Sequence, residues 1–390
     1  MTTDVAIIGG AAIGSAVASF LKAELGFAGR VVVVERDPGY QDCSTTRSAA
    51  SIRTQFSTPV NIALSRFGFD YLRRAEDTLA VDGELPPINL VERGYLYLAT
   101  DAGLPILRAN HEVQCAAGAN VSLLGPAELA ARFPWLRTED LAGGAYGESG
   151  EGWFDAYALL HAFRRKARAH GAEYVHGQVV GLERQGDRVV SLTLADGSRI
   201  PAGTVVNAAG PRAADVAAMA GIDLPVRPRK RFVFTFDCRE APAGVPMVID
   251  PSGVYVRPEG QQFICGTSPP PDQDPDCLDF EIDHTVFEEE IWPALAHRIP
   301  AFEALKPLRA WAGHYAMSTL DCNAILGLHP DVANLYFANG FSGHGIQQAA
   351  GVGRAIAEMI ATGASRSIDV SPLGWARVLE GRPLAEHNVI

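Results

Sequence analysis

The sequence has no closely spaced cysteine pair. Its six cysteines, Cys43, Cys115, Cys238, Cys265, Cys277 and Cys322, are scattered and none forms C-x-x-C. That excludes a disulfide-framed secreted module and argues against a thiolate zinc site. Free thiols of this kind suit a reducing compartment, and the expected location is cytoplasmic. Positive charge is also short. Lys and Arg number 33 against 45 Asp and Glu, a formal charge of −12, so no nucleic-acid or anionic-membrane partner is expected. The ten histidines form no H-x-H or H-x-x-x-H, so no metal site is expected. There is no G-x-S-x-G and no Walker sequence. Long apolar runs are nearly absent. The one uncharged run, residues 5–21, follows Met1-Thr2-Thr3-Asp4, which lacks the positive start of a signal, and small residues break it at 9–12. A buried strand and helix explain it better than a membrane span.

What is present is a chain of 390 residues with 47% apolar content, enough for two packed domains. Residues 4–8 read as a buried strand, 13–25 as a helix and 31–34, four valines closed by Glu35, as a second strand. This βαβ unit is the smallest piece of a doubly wound α/β sheet. Helices are predicted from Pro59 to about Arg74, over 129–133 and over 157–170, and a strand over 90–98. Residues 189–200 read as a hairpin turned at Asp196-Gly197, and 204–207 as a further buried strand. From about residue 225 the texture changes to short strands, at 232–236, 254–257 and 263–266, between Gly- and Pro-rich loops. That predicts an antiparallel second domain inserted into the first. Residues 335–363 return to strand, glycine-rich loop and helix. The expected division is 1–85, 140–220 and 321–390 for the nucleotide-type domain, with 86–139 and 221–320 for the other.

Four stretches carry chemistry. "GGAAIG", residues 9–14, is either an ordinary tight turn or a dinucleotide loop whose second glycine is Ala11, and the βαβ context with its terminal acid favours the loop. Such a loop offers helix N–H groups to a phosphate. Glu35, 21 positions past Gly14, ends the second strand, where a carboxylate accepts ribose hydroxyls and disfavours a 2′-phosphate. "STTRSAASIRTQF", residues 44–56, is either a polar surface loop or a place for Ser44, Thr45 and Arg47 at a diphosphate and Arg53 at an anionic substrate. "NGFSGHGIQQAAGVG", residues 339–353, puts His344 between two glycines, either in a strained structural turn or, the favoured reading, facing a ligand. "RPRKRF", residues 227–232, is a solvated face or the basic wall of a carboxylate site, and Tyr255 and Arg257 share one face of a strand.

Together with "VVNAAG" at 205–210, these stretches resemble the FAD-dependent oxidoreductases of the D-amino-acid oxidase and sarcosine oxidase superfamily. A narrower set, "PVRPRKRFVF", "WAGHYAMSTLDCNAILGLHP" and the C-terminal "HNVI", resembles a mitochondrial subgroup associated with complex I assembly. The resemblance implies a Rossmann-type FAD-binding domain with an inserted antiparallel substrate domain. Gly9, Ala11, Ala12, Ile13, Gly14, Glu35 and Arg36 would hold the ADP half, with Ser44, Thr45, Arg47, Ser48 and Ala49 near the diphosphate. Val179 would meet the adenine through its backbone, and Ala208 and Gly210 line the same cleft. Gly313, Gly340 and the backbone of Gly343, His344, Gly345, Ile346 and Gln347 would surround the flavin. N–H donors there stabilise negative charge on the reduced ring.

Departures from the family pattern refine this. Where some members attach flavin through a cysteine, the matching position is His314, and Cys322 is not equivalent. Others use a histidine in the loop matching 44–48, which has none here, so non-covalent FAD is expected. The strand Phe263-Ile264-Cys265-Gly266 lacks the lysine that promotes reaction with oxygen, and a second family lysine is Gln347. Pro211-Arg212 replaces a pair with an aromatic residue. The implied reaction is oxidation of an amine or amino acid, N-methyl or D-type, by hydride transfer to flavin N5. Electrons would pass to oxygen, a quinone or a carrier protein. Arg53, or Arg231 with Tyr315, would pair with a substrate carboxylate. His314, Tyr255 and Tyr315 would orient or deprotonate the amine, and His344 joins the substrate-binding set. The alternatives are a flavoprotein assembly or scaffold factor and a 2-hydroxy-acid or glycerol-phosphate dehydrogenase of the same fold.

Overall fold

Four consecutive valines can be buried on both faces only inside a sheet covered on both sides, and that is where they lie. In the computed structural model, which describes residues 3–84 and 86–387, the strand Val31–Glu35 is buried along its length up to Glu35. It sits in a parallel sheet ordered Glu173–His176, Val31–Glu35, Thr3–Ile8, Arg199–Asn207 and Val332–Asn339. Ile325–His329 adds antiparallel to the far edge, and Val179–Gln185 and Arg188–Leu194 extend the start of Arg199–Asn207 as a meander. The strand order reverses at Thr3–Ile8, which has Val31–Glu35 on one side and Arg199–Asn207 on the other, so a crevice opens beyond the carboxyl ends of Thr3–Ile8 and Arg199–Asn207. One face is covered by the helices Ala12–Ser19, Ala156–Ala169 and Gly345–Thr362. The last of these lies so close to the first that a Cβ on Gly353 would come within 2.6 Å of Ala16.

The second sheet has eight strands. In order they are Lys306–Ser318, Val226–Asp237, Gln262–Gly266, Tyr255–Glu259, Met247–Ile249, Tyr95–Ala99, Gly143–Gly147 and Val121–Leu124. All pairings are antiparallel except Met247–Ile249 with Tyr95–Ala99. Its core is aromatic: Phe236, Phe263 and Phe302 meet at ring separations of 5.0–5.2 Å. Gly143–Gly147 pairs with strands on both sides, so this module continues past the boundary expected at residue 139.

The strand predicted over 90–98 is broken in two, at Val91–Glu92 and Tyr95–Ala99. Gly94 between them has φ +77° and passes so near the Gly147 carbonyl that a Cβ would lie 2.3 Å from its oxygen. The second arm of the predicted hairpin and the strand predicted over 204–207 are one strand, Arg199–Asn207. The helix predicted to residue 25 closes in a π turn, Phe20–Glu24. The strand Lys306–Ser318 and the helix Leu104–Ala116 were not predicted. Of the C-terminal "HNVI", residues 388–390 lie outside the described residues.

Candidate cofactor and active site

A cavity of about 370 Å3 lies between the two sheets. On the first-sheet side its wall is the end of Thr3–Ile8 and the loop that follows. Gly9 has φ +97°, and a Cβ there would meet the Ala208 carbonyl oxygen at 2.4 Å. Ala11, Ala12 and Ile13 line the cavity where the helix Ala12–Ser19 begins, and no side chain caps Ala11. The Ala12 N–H has only a long contact, 3.4 Å, to Thr45 Oγ1. The helix start therefore offers backbone N–H groups and its positive end to the cavity. Glu35 is fixed by two backbone donors, Gly10 N–H at 2.7 Å and Asp37 N–H at 2.8 Å, one to each oxygen. A carboxylate keeps lone pairs beyond these two. Arg36, Val179, Ala208 and Gly210 line the same wall.

The loop read as polar surface or diphosphate contact lies on the cavity. Ser44, Thr45, Arg47, Ser48 and Ala49 all line it. Ser44 Oγ donates to the His314 carbonyl at 2.6 Å, and Arg47 donates to the Ala312 carbonyl at 3.1 Å. These bonds tie the loop to the strand Lys306–Ser318 of the other sheet. Arg47 also pairs with Asp42 at 2.6 Å and lies over the Phe280 ring at 4.1 Å. Arg257 faces this loop from below and donates twice to the Ala49 carbonyl, at 2.6 and 3.0 Å.

On the second-sheet side the wall carries Arg231, Tyr255, Gly313, His314 and Tyr315. His314 Nε2 is 2.7 Å from the Asp279 carbonyl oxygen. A carbonyl only accepts, so Nε2 carries the hydrogen and the neutral ring leaves Nδ1 as a bare acceptor. Burial, assisted by Arg47 and offset by the Asp279 bond, pulls the imidazole below its ordinary value. Burial pushes the hydroxyls of Tyr255 and Tyr315 up, so both are neutral phenols. Tyr315 is set by Gly343, where a Cβ would strike its ring at 2.5 Å, and Arg231 lies 5.1 Å over it. Arg231 is not a free cation. Its fork holds Asp274 with two bonds of 2.7 Å.

Five residues expected at the ligand do not line this cavity. Gly14 is needed beneath it, because a Cβ would sit 1.9 Å from the Gly9 oxygen. Gly340 packs on Val226 and Ser318. Arg53, His344 and Gln347 form a separate group. Gln347 Oε1 accepts from the Arg53 N–H at 2.9 Å, and Arg53 Nη2 donates to His344 Nε2 at 3.2 Å. The Arg53 guanidinium stacks on Phe56 at 3.9 Å and opens on a small cleft shared with Glu386. Its turn toward Phe56 is fixed by its bond to the Gln55 carbonyl. Burial and the adjacent Arg53 hold His344 well below its ordinary value. Gly345 and Ile346 do line the cavity.

Sequence reasoning missed Thr267, Ser268, Leu278 and Phe280, which line the cavity from a segment without regular pattern. It also gave Arg212 no ligand role, although Arg212 lines the cavity.

The donor set fits a dinucleotide with a diphosphate. The Gly9 cradle would be filled by a Cβ, and the helix start is uncapped. Two buried N–H groups without partners, Nε of Arg212 and Nε of Arg231, belong to lining residues. No group of acidic, histidine and cysteine side chains among the described residues could hold a metal, and none of their helices is long and apolar enough to cross a membrane.

A family model described as FAD dependent oxidoreductase (DAO) matches residues 4–359. The chain belongs to this family. It is 40% identical over 422 residues to "FAD-dependent oxidoreductase domain-containing protein 1" of Xenopus laevis, covering 99% of this chain and 85% of that protein. It is 26% identical over 383 residues to mitochondrial dimethylglycine dehydrogenase of Mus musculus, covering 92% of this chain and 42% of that one. Among solved structures it matches L-proline dehydrogenase from P. horikoshii with a TM-score of 0.87 and 26% identity, over 98% and 99% of the two chains. Family and fold together imply FAD as the cofactor, with a small-molecule substrate and an electron acceptor.

Proposed function

We propose that this DAO-family protein oxidises an amine or amino acid at the second-sheet wall of the cavity, with FAD held non-covalently. The observation that carries the reading is the cluster of Tyr255, His314, Tyr315 and Arg231, which lines one wall of the cavity that Gly9 and Glu35 line from the other side. Proteins named for oxidising proline and dimethylglycine are among its similar structures and relatives, which supports the amine class. FAD, when bound, supplies a two-electron acceptor at N5.

The chain's own groups do the rest. The phenols of Tyr255 and Tyr315 stay neutral and orient the amine by hydrogen bonds. His314 Nδ1 is the acceptor that takes a proton from the substrate ammonium. Such a reaction depends on orientation more than on a strong base. No lysine lines the cavity among the described residues, which supports an acceptor other than oxygen. Cys43 is the one cysteine on its lining, and burial raises its thiol. That supports a cofactor held without a thioether bond. All six cysteines are free, which supports a reducing compartment.

The test is anaerobic mixing of the purified FAD-loaded protein with sarcosine, N-methyl amino acids, proline and D-amino acids. Loss of flavin absorbance with one class identifies the substrate. If none of the panel reduces it while a 2-hydroxy acid or glycerol phosphate does, the amine reading is replaced by the hydroxy-acid one.

A further inference from the structure

The basic run Arg227 to Arg231 is covered by acids from one segment, residues 267–283. Arg229 pairs with Asp276, and its Nε lies 3.7 Å from Asp274 Oδ2. Lys230 pairs with Asp279 at 2.7 Å, and Arg231 grips Asp274 through both arms of its fork. Two further bonds hold the segment down: Cys277 N–H to the Pro228 carbonyl at 3.0 Å, and His314 to the Asp279 carbonyl at 2.7 Å. The segment is also cavity wall, through Thr267, Ser268, Leu278 and Phe280.

Arg231 is the only formal cation on the second-sheet wall among the described residues. It is 8% exposed, and its Nε is buried without a partner. A substrate carboxylate that seeks a cation on this wall must therefore meet a guanidinium whose fork already holds a carboxylate. Taking Asp274 away with no replacement would leave a buried charge unpaired, which is costly. Exchanging one carboxylate for another keeps the charge paired. Asp274 has a place to go, because Arg229 is already beside it.

Resting on the amine reading above, we propose that Asp274 is a gate. It occupies the Arg231 fork until the carboxylate of an amino-acid substrate replaces it, and it then stays on Arg229 as the segment 267–283 shifts. Asp274 thereby makes the site select amines that carry a carboxylate, since an amine without one cannot displace it.

The test uses the FAD-loaded protein and propionate, an unreactive carboxylate. Calorimetric titration of Asp274→Asn should show propionate bound about tenfold tighter than by wild type, because the internal competitor has lost its charge. Asp276→Asn, which loosens the same segment without touching Arg231, should change the affinity less than about twofold. In wild type, propionate should speed hydrogen exchange at the Cys277 amide. Propionate bound no tighter by Asp274→Asn, or exchange at Cys277 unmoved by saturating propionate, overturns the gate. If Asp274→Asn does not fold, the exchange result in wild type decides. Should propionate behave as expected while no amine reduces the flavin, the gate stands and the amine reading falls. Should amino acids reduce it while propionate moves nothing, the reverse holds.

Discussion

Ala11 stands where a dinucleotide loop has its second glycine, and its backbone, φ −68° and ψ −164°, is open to any L residue. The cofactor therefore loses no backbone geometry at this position. Gly9 is different. It has φ +97° and no room for a Cβ beside Ala208. Titrating the apoprotein with FAD separates the two. Ala11→Gly should keep or tighten binding, while Gly9→Ala should weaken it by more than about tenfold, since it combines strain with a clash. A marked loss of FAD by Ala11→Gly would contradict this assignment. Gly9 and Gly14 were both legible from their spacing. That one faces the cavity and the other only packs under it was not, because the difference lies in which atoms a Cβ would meet. Arg53 misled for a similar reason. Its position beside Ser44–Ala49 is visible in the chain, but the direction of its side chain is set by Gln55 and His344, and His344 is nearly 300 residues away.

At the scale of elements, the loop that carries Ser44 to Ala49 continues into Ser51–Ile52, which pairs with Gly152–Trp153. The joint is a buried carboxylate. Glu151 accepts from the Thr54 N–H at 2.6 Å, the Thr54 hydroxyl at 2.7 Å and the Gln55 amide at 2.8 Å. Burial pushes this carboxyl up, and the Gln55 and Thr54 donors oppose the shift. Glu151→Ala leaves several buried donors without a partner, at a cost on the order of 3 kcal/mol. A fall of that size in the unfolding free energy, read from urea titration, is expected. A change below about 1 kcal/mol would mean that these donors find water instead. Elements with strong local pattern, such as Val31–Glu35 and Gly345–Thr362, were readable. Lys306–Ser318 was not. Its first four residues are exposed, so no alternation marks it, and it is a strand because Val226–Asp237 pairs with it along most of its length. The gate segment was equally hidden, since Asp274 meets Arg231 from 43 residues away.

On the scale of the whole molecule, two sheets built by different pairing rules meet over one cavity. The parallel sheet contributes strand ends, a glycine loop and a helix start. The mostly antiparallel sheet contributes a wall of phenols, an imidazole and a guanidinium paired with Asp274. The change in texture near residue 225 coincides with the entry of Val226–Asp237 into the second sheet. The contribution of Gly143–Gly147 to the second sheet was not legible, because a short glycine-rich strand shows its partners only when folded. The chemical roles argued above depend on FAD lying in that cavity, and the proposal is that it lies there without a covalent bond. The most direct measurement is to denature the purified protein, filter it and quantify flavin on both sides of the membrane. The account predicts one FAD per chain in the filtrate and a colourless polypeptide. Flavin retained on the polypeptide, or none in either fraction after FAD reconstitution, would contradict it.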